Sequence, residues 1–185
     1  MTRGEAAFLW LLLSAFCLSL AQIGSAEEIQ DMGPAPWSAS KLELRAVPSL
    51  HITEWKKAEN RDRCALLVID GLSNSSEFKS RRAYFGGGWA VAYDSAKERS
   101  VFGIAGSGSD VDSPGPVYPF PLTRRWADGS VANYGLQGGE GPDYLAYLQV
   151  AGRKCSYNVW SKRGRAHLES LFDRLRLVDN PQDSK

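Results

Sequence analysis

Residues 144–178 read YLAYLQVAGRKCSYNVWSKRGRAHLESLFDRLRLV, and the fold class turns on this stretch. Tyr144 to Val150 and Cys155 to Trp160 are apolar runs of strand length. Ala151-Gly152-Arg153-Lys154 between them has turn composition, so the pair predicts a β-hairpin. From Arg165 to Val178 the pattern changes. Leu168, Leu171, Phe172 and Leu175 stand at i, i+3, i+4 and i+7, the apolar face of an amphipathic helix, and Asn180-Pro181 would end it.

The same reading extends upstream. Trp89, Val91 and Tyr93 alternate with Ala90 and Ala92. With Ala83 to Phe85 and the turn Gly86-Gly87-Gly88 they predict a second hairpin, and Asp94 to Glu98 reverses the chain into Arg99 to Ala105. Cys64 to Asp70 is continuously apolar and reads as a central strand. Lys41 to Val47 alternates like a half-buried strand, whereas Leu50 to Ala58 fits either a strand or a short helix. Strands through most of the chain with one closing helix predict an α+β domain: an antiparallel sheet with a C-terminal amphipathic helix packed on one face.

The other end of the chain fixes the expected compartment. Residues 6–23 are apolar, with FLWLLLSAFCLSL at the centre, and Gly24-Ser25-Ala26 precede Glu27-Glu28. That order is the signature of a cleavable signal peptide over residues 1–26. An uncleaved anchor and lipidation at Cys17 are weaker readings, because the apolar run is short for a span and Phe16 fits a lipoprotein site poorly. Residues 27–40 then read as a flexible leader, 41–180 as one globular domain and 181–185 as a disordered tail. Two cysteines remain after cleavage, Cys64 and Cys155. In an oxidising compartment they predict one disulfide.

Charge excludes some functions. Twenty-two Lys and Arg against 21 Asp and Glu leave a formal charge of +1, which offers no field for nucleic acid. The membrane enters only through the signal peptide. Gly103-Ile104-Ala105-Gly106-Ser107-Gly108 is not a dinucleotide fingerprint, and prolines follow it where a phosphate cradle needs a helix. Asp110-Val111-Asp112-Ser113-Pro114-Gly115 opens like a calcium loop, but Pro121 stands where the bidentate Glu belongs. Asp110 and Asp112 remain as loop acids, and no metal or cofactor is expected.

The segment from Gly106 to Thr123 is rich in Pro and Gly and long for a compact domain, which marks it for function. Arg124, Arg125 and Trp126 follow it. Forked guanidinium donors beside an exposed aromatic would make a contact surface, so Arg124, Arg125, Trp126, Asp110 and Asp112 are the expected binding residues. Arg153, Lys154, Lys162, Arg163 and Arg165 read as a solvated cationic edge or as a dock for an anionic envelope polymer. Asn74-Ser75-Ser76 is a glycosylation sequon. The function expected is therefore non-catalytic binding of an exported or envelope partner. The alternative is a small exported hydrolase using loop carboxylates, such as Glu140, Asp143 and Asp128, or His51 as base.

Overall fold

A computed structural model describes residues 27–72, 75–107, 120–139 and 143–179. The protein is mostly β-sheet with few helices. Among the described residues eleven strands form two sheets: β1 Glu28–Asp31, β2 Leu42–Glu43, β3 Leu67–Ile69, β4 Lys79–Arg82, β5 Trp89–Asp94, β6 Phe102–Gly106, β7 Leu122–Arg125, β8 Val131–Leu136, β9 Tyr144–Gln149, β10 Ser156–Ser161 and β11 Leu175–Asp179. The helices are α1 Pro36–Ala39, α2 Ser49–Lys57 and α3 Arg165–Asp173. The large sheet has eight strands in the order β1-β7-β8-β9-β10-β6-β5-β4, and the small one has three, β2-β11-β3. Both are mixed rather than purely antiparallel. β1 runs parallel to β7 and β2 parallel to β11, while every other pairing is antiparallel.

The β9–β10 hairpin forms as expected; in the second hairpin the strand that pairs with β5 is Lys79–Arg82 and not Ala83–Phe85, and β6 adds to β5 as the reversal at Asp94 requires. Period-two alternation then sorts the large sheet into two sets of side chains. Trp89, Val91 and Tyr93 of β5 align with Gly106, Ile104 and Phe102 of β6, and these with Tyr157, Val159 and Ser161 of β10. This first set is buried almost without exception. It meets α2 through His51 on Tyr93 and α3 through His167 on Phe102 and Phe172 on Tyr134. Leu168, Leu171 and Phe172 of α3 are fully buried, and α3 packs on the sheet. Each such side chain contributes about 1.5–3 kcal/mol.

Four expectations are corrected. The leader at 27–40 is ordered: β1 adds to the sheet edge, and Trp37 of α1 is fully buried against Trp126 at 4.7 Å between ring centroids. The helix expected to reach Val178 stops at Asp173. Leu175 falls on its apolar periodicity but opens β11, which pairs with both β2 and β3 and buries Leu175, Leu177 and Val178. The run Cys64–Asp70 yields an edge strand, β3, not a central one. Its unbroken hydrophobicity reports burial of Leu67, Val68 and Ile69 alike, and not strands on both sides. Lys41 to Val47 gives only the two residues of β2 before a 3-10 turn at Leu44–Ala46, and Leu50 to Ala58 resolves as helix α2 behind Pro48.

Two features frame the site. Four successive antiparallel pairings separate β6 from β7, so both point the same way with β10, β9 and β8 between them. Cys64 and Cys155 are joined, with Cα atoms 4.9 Å apart, and both are fully buried. The bridge ties the segment before β3 to the start of β10. Around it Trp55 Nε1 donates to the Cys64 carbonyl at 2.8 Å, and Asn60 Nδ2 donates to Gly106 O at 2.9 Å.

Candidate binding face

The second set of side chains on the large sheet has a different chemistry. One row, in register across six strands, is Ala90, Ala105, Asn158, Tyr147, Asn133 and Thr123. The next is Ala92, Gly103, Trp160, Leu145 and Gly135. Small residues thus floor one side, half-buried aromatics and Leu145 stand beside them, and amides sit between. The row through Ala92 continues in register to Arg81 of β4. Charge lies only at the margins, with Asp31 and Arg125 at one corner and Arg81 gripping Asp94 at 3.0 and 2.8 Å at the other.

Two glycines shape this surface. A Cβ at Gly103 would collide with the six-membered ring of Trp160, and one at Gly135 would lie 2.6 Å from Phe120 Cδ1. The missing Cβ atoms leave room for both rings close to the glycine backbone. Phe120 also stacks on Tyr147, with centroids 5.8 Å apart and planes 24° apart. Asn133 Oδ1 lies 2.9 Å from Thr123 Oγ1, which is also 2.8 Å from Glu27 Oε1.

Asn158 stands out. It is 3% exposed, in mid-sheet, and its Oδ1 has no hydrogen-bond partner. Among the described residues three other buried side-chain atoms share that condition: His51 Nδ1, Asn60 Oδ1 and Trp89 Nε1. His51 and Trp89 lie on the packed side and Asn60 beside the disulfide, so Asn158 is the one that faces the second surface. A buried acceptor without a donor costs roughly 1–3 kcal/mol, a cost that a site keeps when a ligand will supply the donor.

The residues expected from the sequence are distributed differently. Arg124 faces the packed side, is 8% exposed and is fully engaged. It pairs with Glu169 Oε2 at 3.0 Å, donates to Gln30 Oε1 at 3.0 Å and lies over the Phe172 ring. Burial pushes the Glu169 carboxyl up, but hydrogen bonds from Arg165 and Tyr134 and the Arg124 charge outweigh it and hold it low. Trp126 is 4% exposed and is clasped by Trp37 and by Phe172 at 5.8 Å. It is core, and the exposed contact expected of it is withdrawn. Strand alternation is the reason, because it turns Arg124 and Trp126 to the same inner side. Arg125, between them, is exposed. Asp110, Asp112, Glu140, Asn74, the signal segment and the tail lie outside the described residues.

The catalytic alternative loses its base. His51 is 1% exposed, and its Nε2 lies 2.9 Å from the Tyr93 hydroxyl. Burial pushes the imidazole down to about 4 and the phenol up. Asp128 accepts from Ser38 Oγ at 2.9 Å, from Ser130 N at 2.9 Å and from Trp37 Nε1 at 3.3 Å, and so holds a turn together. Ser161 Oγ and His167 Nδ1 are 2.7 Å apart, but Ser161 is 1% exposed on the packed side. Among the described residues no group of His, Cys, Asp and Glu is arranged to hold a metal, and no helix is long and apolar enough to cross a membrane.

Asn158 and Trp160 were missed as site residues because CSYNVW reads first as strand. The available signal was an amide placed in mid-strand between Tyr157 and Val159. Comparison of the chain with protein-family models, with curated proteins and with solved structures finds no match.

Proposed function

We propose that this is an exported, non-catalytic binding protein that holds its ligand against the second face of the eight-stranded sheet. The observation that carries the reading is Asn158: a buried mid-sheet amide whose acceptor is unmet, set between a floor of small side chains and the rings of Trp160 and Tyr147. Concave or flat surfaces with apolar walls and a few convergent polar atoms are where small ligands bind. Export is supported by the apolar leader ending Gly24-Ser25-Ala26 and by the disulfide. The architecture that goes with this function is α+β, with helices on one face of the sheet and ligand on the other.

The test uses the chain from Glu27 onward with its bridge intact, isotopically labelled and titrated with a library of small neutral and charged fragments. Amide shifts clustered on Asn158, Trp160, Tyr147 and Asn133 are expected. Shifts confined to other surfaces would refute the reading. So would turnover of an ester, peptide or glycoside that is lost on changing Arg125 or Asp143.

A further inference from the structure

We propose that β4 is a docking strand: an extended acidic segment of a partner protein adds beside it and lengthens the large sheet by one strand. This surface is separate from the second face and independent of what binds there. β4 ends the strand order and pairs with β5 alone. In an antiparallel ladder the backbone groups of successive residues point alternately toward and away from the neighbour. Ala83 N donates to Ala90 O at 3.1 Å, which turns Ala83 toward β5 and Arg82 away from it. Val101 N donates to Tyr93 O at 2.9 Å, which turns Tyr93 toward β6 and away from its register partner Ser80. Ser80 and Arg82 therefore aim their N–H and C=O groups out of the sheet. Among the described residues no other strand meets them. The Arg82 carbonyl accepts from Arg81 Nη1 at 3.0 Å, which leaves it a second lone pair. Such an edge is a template for strand addition.

Charge selects the occupant. β4 reads Lys79-Ser80-Arg81-Arg82, without an acid. Asp94 holds Arg81, and Glu54 Oε2 holds Arg82 Nε at 3.0 Å. Lys79 is exposed, and its register partner Asp94 is taken by Arg81. The reversal after Asp94 brings Lys97, also exposed, to the same end of the edge. At the other end Tyr84, two residues beyond Arg82, is 84% exposed and offers an aromatic surface to an apolar side chain. Lys and Arg on an edge keep like strands away. Two copies of β4 side by side would oppose Lys79, Arg81 and Arg82 to one another, so this edge rejects its own copy and accepts an acidic strand. The opposite edge, β1, carries Glu28 and Asp31 and would reject the same ligand.

The test titrates the oxidised, isotopically labelled chain from Glu27 with two pools of octapeptides. One alternates Glu or Asp with Val, Ile, Thr or Tyr; the other has Lys or Arg in place of the acids. The acidic pool should bind, and the Ser80 and Arg82 amides should become protected from solvent exchange while Arg81, already paired with β5, stays as it was. N-methylating alternate backbone nitrogens of a bound peptide should abolish binding in one of the two phases, the one that faces β4. Ser80→Pro removes an N–H that serves no pairing within the sheet, so the fold should stand and docking should be lost. Lys79→Glu, at an exposed side chain, should weaken binding about fivefold, the upper worth of one exposed ion pair, and keeps the test decisive if Ser80→Pro does not fold. Failure of the acidic pool, equal binding of the basic pool, or protection confined to β1 overturns the proposal. So does indifference to N-methylation in both phases, which would mark a site that reads anionic charge alone. Self-association of the free chain that protects Ser80 and Arg82 would make a second copy the occupant and overturns it as well.

Discussion

Replacing His51 by Phe should flatten the dependence of stability on pH between neutrality and pH 5. In the folded chain burial holds the imidazole near 4, against an ordinary value of 6.5. The unfolded chain therefore binds a proton below 6.5 that the folded chain refuses. The stabilisation is full above pH 6.5 and is lost as pH falls toward 4. Each pH unit in that window costs about 1.4 kcal/mol, so the loss reaches about 2 kcal/mol at pH 5 and about 3 kcal/mol by pH 4. Such a loss is a large share of the stability of a domain this size. Phe fills the ring volume and cannot titrate. It leaves the Tyr93 hydroxyl unpaired, but that penalty is constant below pH 10 and cancels when slopes are compared. Urea unfolding with the disulfide intact, at pH 7 and pH 5, gives the four free energies needed. Wild type should lose about 2 kcal/mol more than His51→Phe across that interval. Equal losses in both proteins would refute the buried neutral imidazole and place the titration elsewhere, with His167 the next group to examine.

Trp126→Ala should destabilise by about 3–5 kcal/mol, as a large ring removed from between Trp37 and Phe172 does; a change under 1 kcal/mol in chemical denaturation would return Trp126 to the surface. Unreduced, denatured protein should show no free thiol from Cys64 or Cys155, and replacing both by Ser should cost about 4 kcal/mol on the loop-entropy account. Glu169→Gln should release the clamp on Arg124 and Arg165 and cost about 2–3 kcal/mol, with hydrogen exchange rising first in β1, whose Glu28 also holds Arg165. Gly103→Ala should lift Trp160 off the sheet at a cost of about 1–3 kcal/mol and weaken any ligand of the second face, whereas Gly86→Ala, which meets nothing, should do neither.

What could be read from the sequence was local. The β9–β10 hairpin announces itself because turn and strands are contiguous, and the two cysteines beyond the apolar leader leave one partner for each. What escaped was set by distant pairing. Nothing in Glu28–Asp31 alternates strongly; it becomes a strand because β7 offers an edge and Arg165, far along the chain, grips Glu28. Leu175 obeys a helical period and a strand period equally, and only its neighbours β2 and β3 decide between them. Arg124 and Trp126 look like surface chemistry until Glu169 and Trp37 are brought against them. Asn158 is the converse: its strand was legible, but an unmet acceptor is a property of three dimensions.

The parallel pairing of β2 with β11 has a mechanical consequence. It joins Leu42 to Val178 and Glu43 to Asp179, so strands near opposite ends of the chain lie side by side and point the same way. A pull on the two termini therefore loads this pair in shear, with its hydrogen bonds strained together and not opened one by one. Once the pair yields, extension halts at the Cys64–Cys155 bridge, which withholds a loop of 91 residues, about 300 Å of contour, from the tether. Reduction would restore that length, so the redox state of one buried bond sets how far this molecule can be stretched.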